Sequence, residues 1–154
     1  MLRRGWLYLL AGLLACLTLV PMAPAAGSAP WPASRAITPR QAAAELRRTG
    51  AARPKVIQVG FLVLYKGGHI PGAIYAGPAS STAGRQRLRR LVAHWPRRTR
   101  ILIYCGCCPM TECPNIRPAW QVLQKMGFRR VQVIELPANF ARDWVRKGLP
   151  HTRD

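Results

Sequence analysis

The sequence predicts an α/β fold, a parallel β-sheet with helices on both faces. Three observations carry this. Short β-branched or apolar runs alternate with amphipathic stretches, the order that builds right-handed βαβ crossovers. The run Ile101-Leu102-Ile103-Tyr104 is apolar without alternation, as a strand buried on both faces must be. Gly and Pro stand at the ends of these runs rather than inside them, at Gly50, Pro96, Gly127 and Gly148. A chain of 154 residues corresponds to one domain.

Taken in order, Arg3 and Arg4 precede Gly5 to Val20, which carries no charge, and Ala23-Pro24-Ala25 offers a small-residue cleavage site. This is the pattern of a signal peptide over residues 1–25. The uncharged stretch falls short of the ~20 apolar residues that cross a hydrocarbon core. Membrane attachment is therefore expected only if the segment stays uncleaved, and the expected location is periplasmic or secreted. Residues 26–37, rich in Pro, Ala and Ser, read as a flexible lead-in, and residues 38–150 as the folded domain.

Thr38-Pro39-Arg40-Gln41 has the form of a helix start, with Thr38 as N-cap and Gln41 three residues on; the helix is expected to stop at Gly50. Lys55 to Val59 and Ala73 to Tyr75 read as strands. Ser81 to Trp95 reads as a helix whose Leu88, Leu91, Val92 and Trp95 share one face, leaving its arginines toward solvent. After the buried strand from Arg100 to Tyr104, a helix is expected from Pro118 to Met126, a strand over Val131 to Ile134, and a last helix over Ala138 to Lys147.

The net charge is +19, or about +17 once Arg3 and Arg4 are removed. No basic run is interleaved with stacking aromatics, which argues against nucleic acid. The charge reads mainly as a solubilising surface that also attracts a small anion. All cysteines after Cys16 lie between Cys105 and Cys113, so they form one local site and cannot staple distant segments. Cys105 directly follows the buried strand, where ligands of open parallel sheets bind. Arg117-Pro118 then opens a helix, whose free N–H groups and partial positive charge favour a thiolate.

Three groups of residues resemble the rhodanese (sulfurtransferase) family in order and spacing. They are Gly68-His69-Ile70-Pro71-Gly72-Ala73, the strand ending in Cys105, and the tail from Asn139 through Trp144 to Gly148-Leu149-Pro150. The resemblance implies a rhodanese-like parallel sheet and a ping-pong sulfur transfer. Cys105 would take the outer sulfur of an anionic donor such as thiosulfate as a persulfide, then pass it to a thiol or cyanide. Cys113 is the runner-up nucleophile or the thiol that resolves Cys105. Arg117, Gly106, Cys107 and Cys108 would contact the donor. This chemistry needs no cofactor and no resident metal, and a monomer is expected. Two departures stand out: Gln58-Val59-Gly60 replaces the family's Asp-x-Arg, and residues 106–116 make a longer, cysteine-bearing loop.

Two other readings of the cysteines remain open. Cys105-Gly106-Cys107-Cys108 has the C-x-x-C spacing of thiol–disulfide redox proteins, and four thiols suit zinc or Cu(I). His69 is expected to hydrogen-bond its loop, Trp120 and Trp144 to lie in the core, Glu112 to be solvated, and Asp143 to pair with Arg146 or Lys147.

Overall fold

The computed structural model describes residues 31–153. Five parallel strands run in the order β1-β5-β4-β2-β3: β1 (Ala36–Ile37), β2 (Lys55–Gln58), β3 (Ala73–Tyr75), β4 (Ile101–Tyr104) and β5 (Val131–Ile134). The helices are α1 (Pro39–Leu46), α2 (Leu62–Gly67), α3 (Thr82–Val92), α4 (Ile116–Lys125) and α5 (Phe140–Asp143). Strand β4 is central, pairing Val56 with Leu102 on one side and Val133 with Ile103 on the other. Among the described residues no helix is long and apolar enough to cross a membrane.

Side-chain alternation along the strands divides the core into two layers. Ile57, Ile101, Ile103, Val131 and Val133 pack with Leu88 and Val92 of α3 and with Trp120 and Leu123 of α4. Val56, Leu102, Tyr104 and Ile134 face the other way, onto Ala42 and Ala43 of α1 and Phe140 and Trp144 near α5. The sheet is thus covered on both faces, as its apolar strands require. The amphipathic reading of α3 holds: Leu88 and Val92 are buried, while Arg87, Arg89 and Arg90 are exposed.

The α1 start is a full capping box. Thr38 Oγ1 accepts from the Gln41 backbone at 3.3 Å, and Gln41 Oε1 accepts from the Thr38 backbone at 2.9 Å. His69 has its expected structural role, with Nδ1 2.9 Å from the Tyr65 carbonyl and its ring stacked on Tyr65. Both Trp120 and Trp144 are buried, and Trp144 Nε1 donates to the Pro150 carbonyl at 2.8 Å.

Several element limits differ from the sequence reading. Residues 31–37, expected to be a flexible lead-in, belong to the fold: Trp31 is buried against Trp120, and β1 pairs with β5. A two-residue strand is too short to show periodicity. The expected signal peptide, residues 1–25, lies outside the described residues. Helix α1 ends at Leu46, before Gly50, which instead begins a separate turn at Gly50–Ala52 with φ +57°. Helix α4 starts at Ile116, so Pro118 is its third residue rather than its first. The last helix is broken at Trp144 into α5 and the turn Val145–Lys147. Asp143 caps that region rather than pairing with Arg146 or Lys147. Its Oδ2 accepts from the backbone of Ala138 at 2.6 Å and of Asn139 at 2.9 Å. Helix α2 was not anticipated, because Phe61-Leu62-Val63-Leu64 has no helical period and no capping side chain. The chain stays engaged past Pro150 through a bridge between His69 and Thr152.

Candidate functional site

The ladder between β2 and β4 continues one step beyond both strands, with Val59 N donating to the Tyr104 carbonyl at 2.9 Å. The chains then diverge and leave a hollow at their carboxyl ends, with Cys105 at its floor, 3% exposed. Gln58, the last residue of β2, is buried and ties the two ends together. Its Nε2 donates to the Cys105 carbonyl at 3.0 Å, and its Oε1 accepts from Gly60 N at 3.2 Å. These neutral bonds are what Gln58-Val59-Gly60 makes in place of an Asp-x-Arg motif. A β-carbon at Gly60 would lie 2.8 Å from Cys105 Sγ, so the approach of the β2 end to the sulfur requires glycine.

The loop after Cys105 is anchored along its length. Gly106 turns the chain at φ +85°, and its carbonyl accepts from Phe140 N at 3.2 Å. Met110 N reaches the Leu136 carbonyl at 3.2 Å. Asn115, fully buried immediately before α4, does not cap that helix with its side chain. Its Oδ1 accepts from Ser80 N at 3.0 Å, and its Nδ2 donates to Cys105 Sγ at 3.3 Å. The backbone donors at the helix start are thereby left for another group.

The loop brings its thiols together. Cys105 Sγ is 3.2 Å from Cys107 Sγ, which is 2.8 Å from Cys108 Sγ. The sulfurs of Cys105, Cys107 and Cys113 all lie within 4.8 Å of one another, close enough to share one soft cation. Charge within the cluster is uneven. A hydrogen bond from Cys105, together with the backbone donors of Asn115 and Ile116, pulls the Cys113 thiol down to about 6 against the effect of burial. The same contact, with burial, pushes Cys105 up. The sequence placed the helix donors and the thiolate in one loop; the structure directs those donors to Cys113.

Two spaces meet at Cys105. On the open side is a cavity of about 450 Å³, whose lining includes Gln58, Cys105, Gly106, Cys107, His151 and Arg153. The apolar Val63 and Leu64 of α2 form another part of its wall. On the closed side, Cys105, Cys108 and Cys113 border a gap of about 10 Å³, at the lower limit for a single water. Arg117 is exposed on the first turn of α4 and is outside the cavity lining; Arg153, near the chain end, is within it. Glu112 is exposed. Sequence reasoning did not single out Asn115, Arg153 or the positive role of Gln58. Asn115 carried only its place beside the cysteine loop, which does not reveal its partners Ser80 and Cys105.

Known proteins place this arrangement. In solved structures, the chain is similar to the rhodanese-like domain of a protein from Anabaena sp., at 21% identity and a TM-score of 0.57, covering 78% of this chain and 80% of that one. A crystal structure of the same Anabaena protein aligns at 17% identity and a TM-score of 0.58, covering 76% and 91%. A protein from Helicobacter pylori 26695 aligns at 14% identity and a TM-score of 0.52, covering 79% and 91%. At these identities the likeness is one of fold. No curated protein sequence matches the chain. The sequence profile described as Rhodanese-like domain matches residues 39–136, most of the chain, and with the parallel sheet and its cysteine-bearing loop this makes the chain a member of the rhodanese-like domain family.

Proposed function

We propose that the protein is an exported sulfurtransferase that takes sulfane sulfur from a small anionic donor such as thiosulfate onto Cys105. The observation that carries this reading is the position of Cys105. Its sulfur borders the open cavity at the end of the buried central strand and lies within 4.8 Å of those of Cys107 and Cys113. In the first half-reaction Cys105 sulfur attacks the outer sulfur of thiosulfate, and its proton moves to the Cys113 thiolate. Sulfite leaves with the electrons of the broken S–S bond, and Cys105 becomes a persulfide. An acceptor thiol or cyanide then removes the outer sulfur. Asn115 Nδ2 acts as a hydrogen-bond donor to the reacting sulfur. Gly106 lines the cavity beside Cys105, and Arg153 supplies positive charge at the cavity wall.

The decisive assay is thiocyanate formation from thiosulfate and cyanide by the reduced protein. Turnover is expected, and loss of it in Cys105→Ser. Cys113→Ser is expected to slow the first half-reaction without abolishing it, since water can take the proton in its place. A Cys105→Ser protein that turns over normally overturns the assignment. The contact between Cys105 and Cys107 also favours a second reading, thiol–disulfide redox chemistry. That reading gains if the wild-type protein reduces or oxidises a disulfide substrate but forms no thiocyanate. Export is proposed on the residue pattern of positions 1–25, and N-terminal sequencing of the exported protein should begin near Ala26.

A further inference from the structure

We propose that Cys107 resolves the Cys105 persulfide internally, releasing sulfide and leaving a Cys105–Cys107 disulfide that an external dithiol then reduces. This rests on the sulfurtransferase reading and adds to it the product, sulfide, and the class of co-substrate, a dithiol.

Cys107 Sγ lies 3.2 Å from Cys105 Sγ, and a disulfide closes at ~2.0 Å. About an ångström of movement joins them. Gly106 between them already turns the chain back at φ +85°. Exposure also separates the candidates. Cys107 is half-buried and lines the open cavity, where an outside reductant can reach a disulfide. Cys113 is buried beside the closed gap. The expectation that Cys113 is the resolving thiol gives way to Cys107 on these grounds.

The step balances. Cys107 sulfur attacks Cys105 Sγ, and the bond from Cys105 Sγ to the outer sulfur breaks. The outer sulfur leaves with the bonding pair and, with the proton from Cys107, departs as hydrosulfide. Two thiol sulfurs are oxidised to a disulfide while the sulfane sulfur is reduced to sulfide. In-line displacement requires the outer sulfur to leave on the side of Cys105 away from Cys107. The external dithiol returns two electrons and two protons and becomes a disulfide itself.

The test uses the mature protein, fully reduced and freed of reductant under anaerobic conditions, then mixed with thiosulfate. Sulfite, sulfide and intact mass are followed together. Wild type is expected to release sulfite and sulfide in equal amounts, and to finish ~2 Da lighter with Cys105 linked to Cys107 in the peptide map. Cys107→Ser and Cys107→Ala are both expected to release sulfite, keep a ~32 Da adduct on Cys105, and lose sulfide release by about tenfold or more. Their sulfite release shows that the variants fold and that the first half-reaction survives. If these variants release sulfide as wild type does, or if the wild-type disulfide maps to Cys105 and Cys113, the inference is wrong while sulfur transfer stands. If no protein releases sulfite, the sulfurtransferase reading fails and this inference fails with it.

Discussion

Two side-chain positions, Gly60 and Asn115, fix Cys105 sulfur in its pocket, and each makes a prediction. Any β-carbon at Gly60 meets Cys105 Sγ and the Cys105 carbonyl at 2.8 and 2.9 Å. Both belong to a strand end that cannot yield freely. Gly60→Ala should destabilise the protein by ~1–3 kcal/mol, the usual cost of overpacking, and lower turnover by displacing the sulfur. Denaturant midpoints and kcat/KM on the same preparation check both effects. Asn115 uses its two ends differently, accepting from Ser80 N and donating to Cys105 Sγ. Asn115→Asp keeps the acceptor for Ser80 and replaces the donor with a carboxylate beside a sulfur that must become anionic. Its kcat/KM should fall far more than its stability, whereas Asn115→Leu should lose ~1–3 kcal/mol of stability as well, because Ser80 N is left unpaired. Equal losses in both variants would show that the amide is only structural. None of this was legible from the sequence, because a role for Asn115 depends on Ser80 and Cys105 being brought together by the fold. Cys105 itself was legible, since its place depends only on the end of a strand that reads plainly as buried.

At the scale of elements, what could be read followed from local signals strong enough to survive packing. The β4 run, the α1 capping box and the Leu88 and Val92 face of α3 were clear because period, cap and burial agree. Leu88→Ala should cost ~2–5 kcal/mol, as removal of a fully buried leucine does, measured by chemical denaturation. Helix α2 was hidden because its apolar residues face the cavity and solvent instead of the core; Val63 is 75% exposed. The final helix was overdrawn because the turn at Trp144, which buries its indole onto the Pro150 carbonyl, breaks a run that continues smoothly in sequence. Helix α1 is also tied to the start of β4 by Glu45, whose carboxylate lies 2.6 Å from Arg100 Nη2 and 2.9 Å from Arg48 Nε. The hydrogen bond from Arg100, with the charges of both arginines, holds Glu45 below its ordinary range. A lowered folded-state value contributes stability above the unfolded value near ~4.3, and that contribution is lost as pH falls through the folded value. Glu45→Gln should therefore be less stable than wild type at neutral pH, with the difference shrinking below about pH 4. A difference that is constant with pH would assign the effect to packing instead.

For the molecule as a whole, the large positive charge is spread over both ends of the sheet. Arg53, Lys55, Arg98, Arg100 and Arg130 surround a broad cavity at the amino ends of the strands, while Arg153 stands at the cavity over Cys105. Such a field draws small anions toward the protein and weakens as salt shortens the Debye length to ~10 Å at 0.1 M. The expected sign is a kcat/KM for thiosulfate that falls with ionic strength, and more shallowly in Arg153→Ser than in wild type. A flat profile in both would leave the charge as a solubilising surface only. The central claim is that Cys105 carries the transferred sulfur, and intact mass spectrometry of the reduced Cys107→Ser protein after thiosulfate tests it most directly, because resolution is then blocked. The account predicts a ~32 Da adduct that maps to Cys105 and is absent when Cys105→Ser is added; an adduct that maps to Cys113, or one that persists without Cys105, would contradict it.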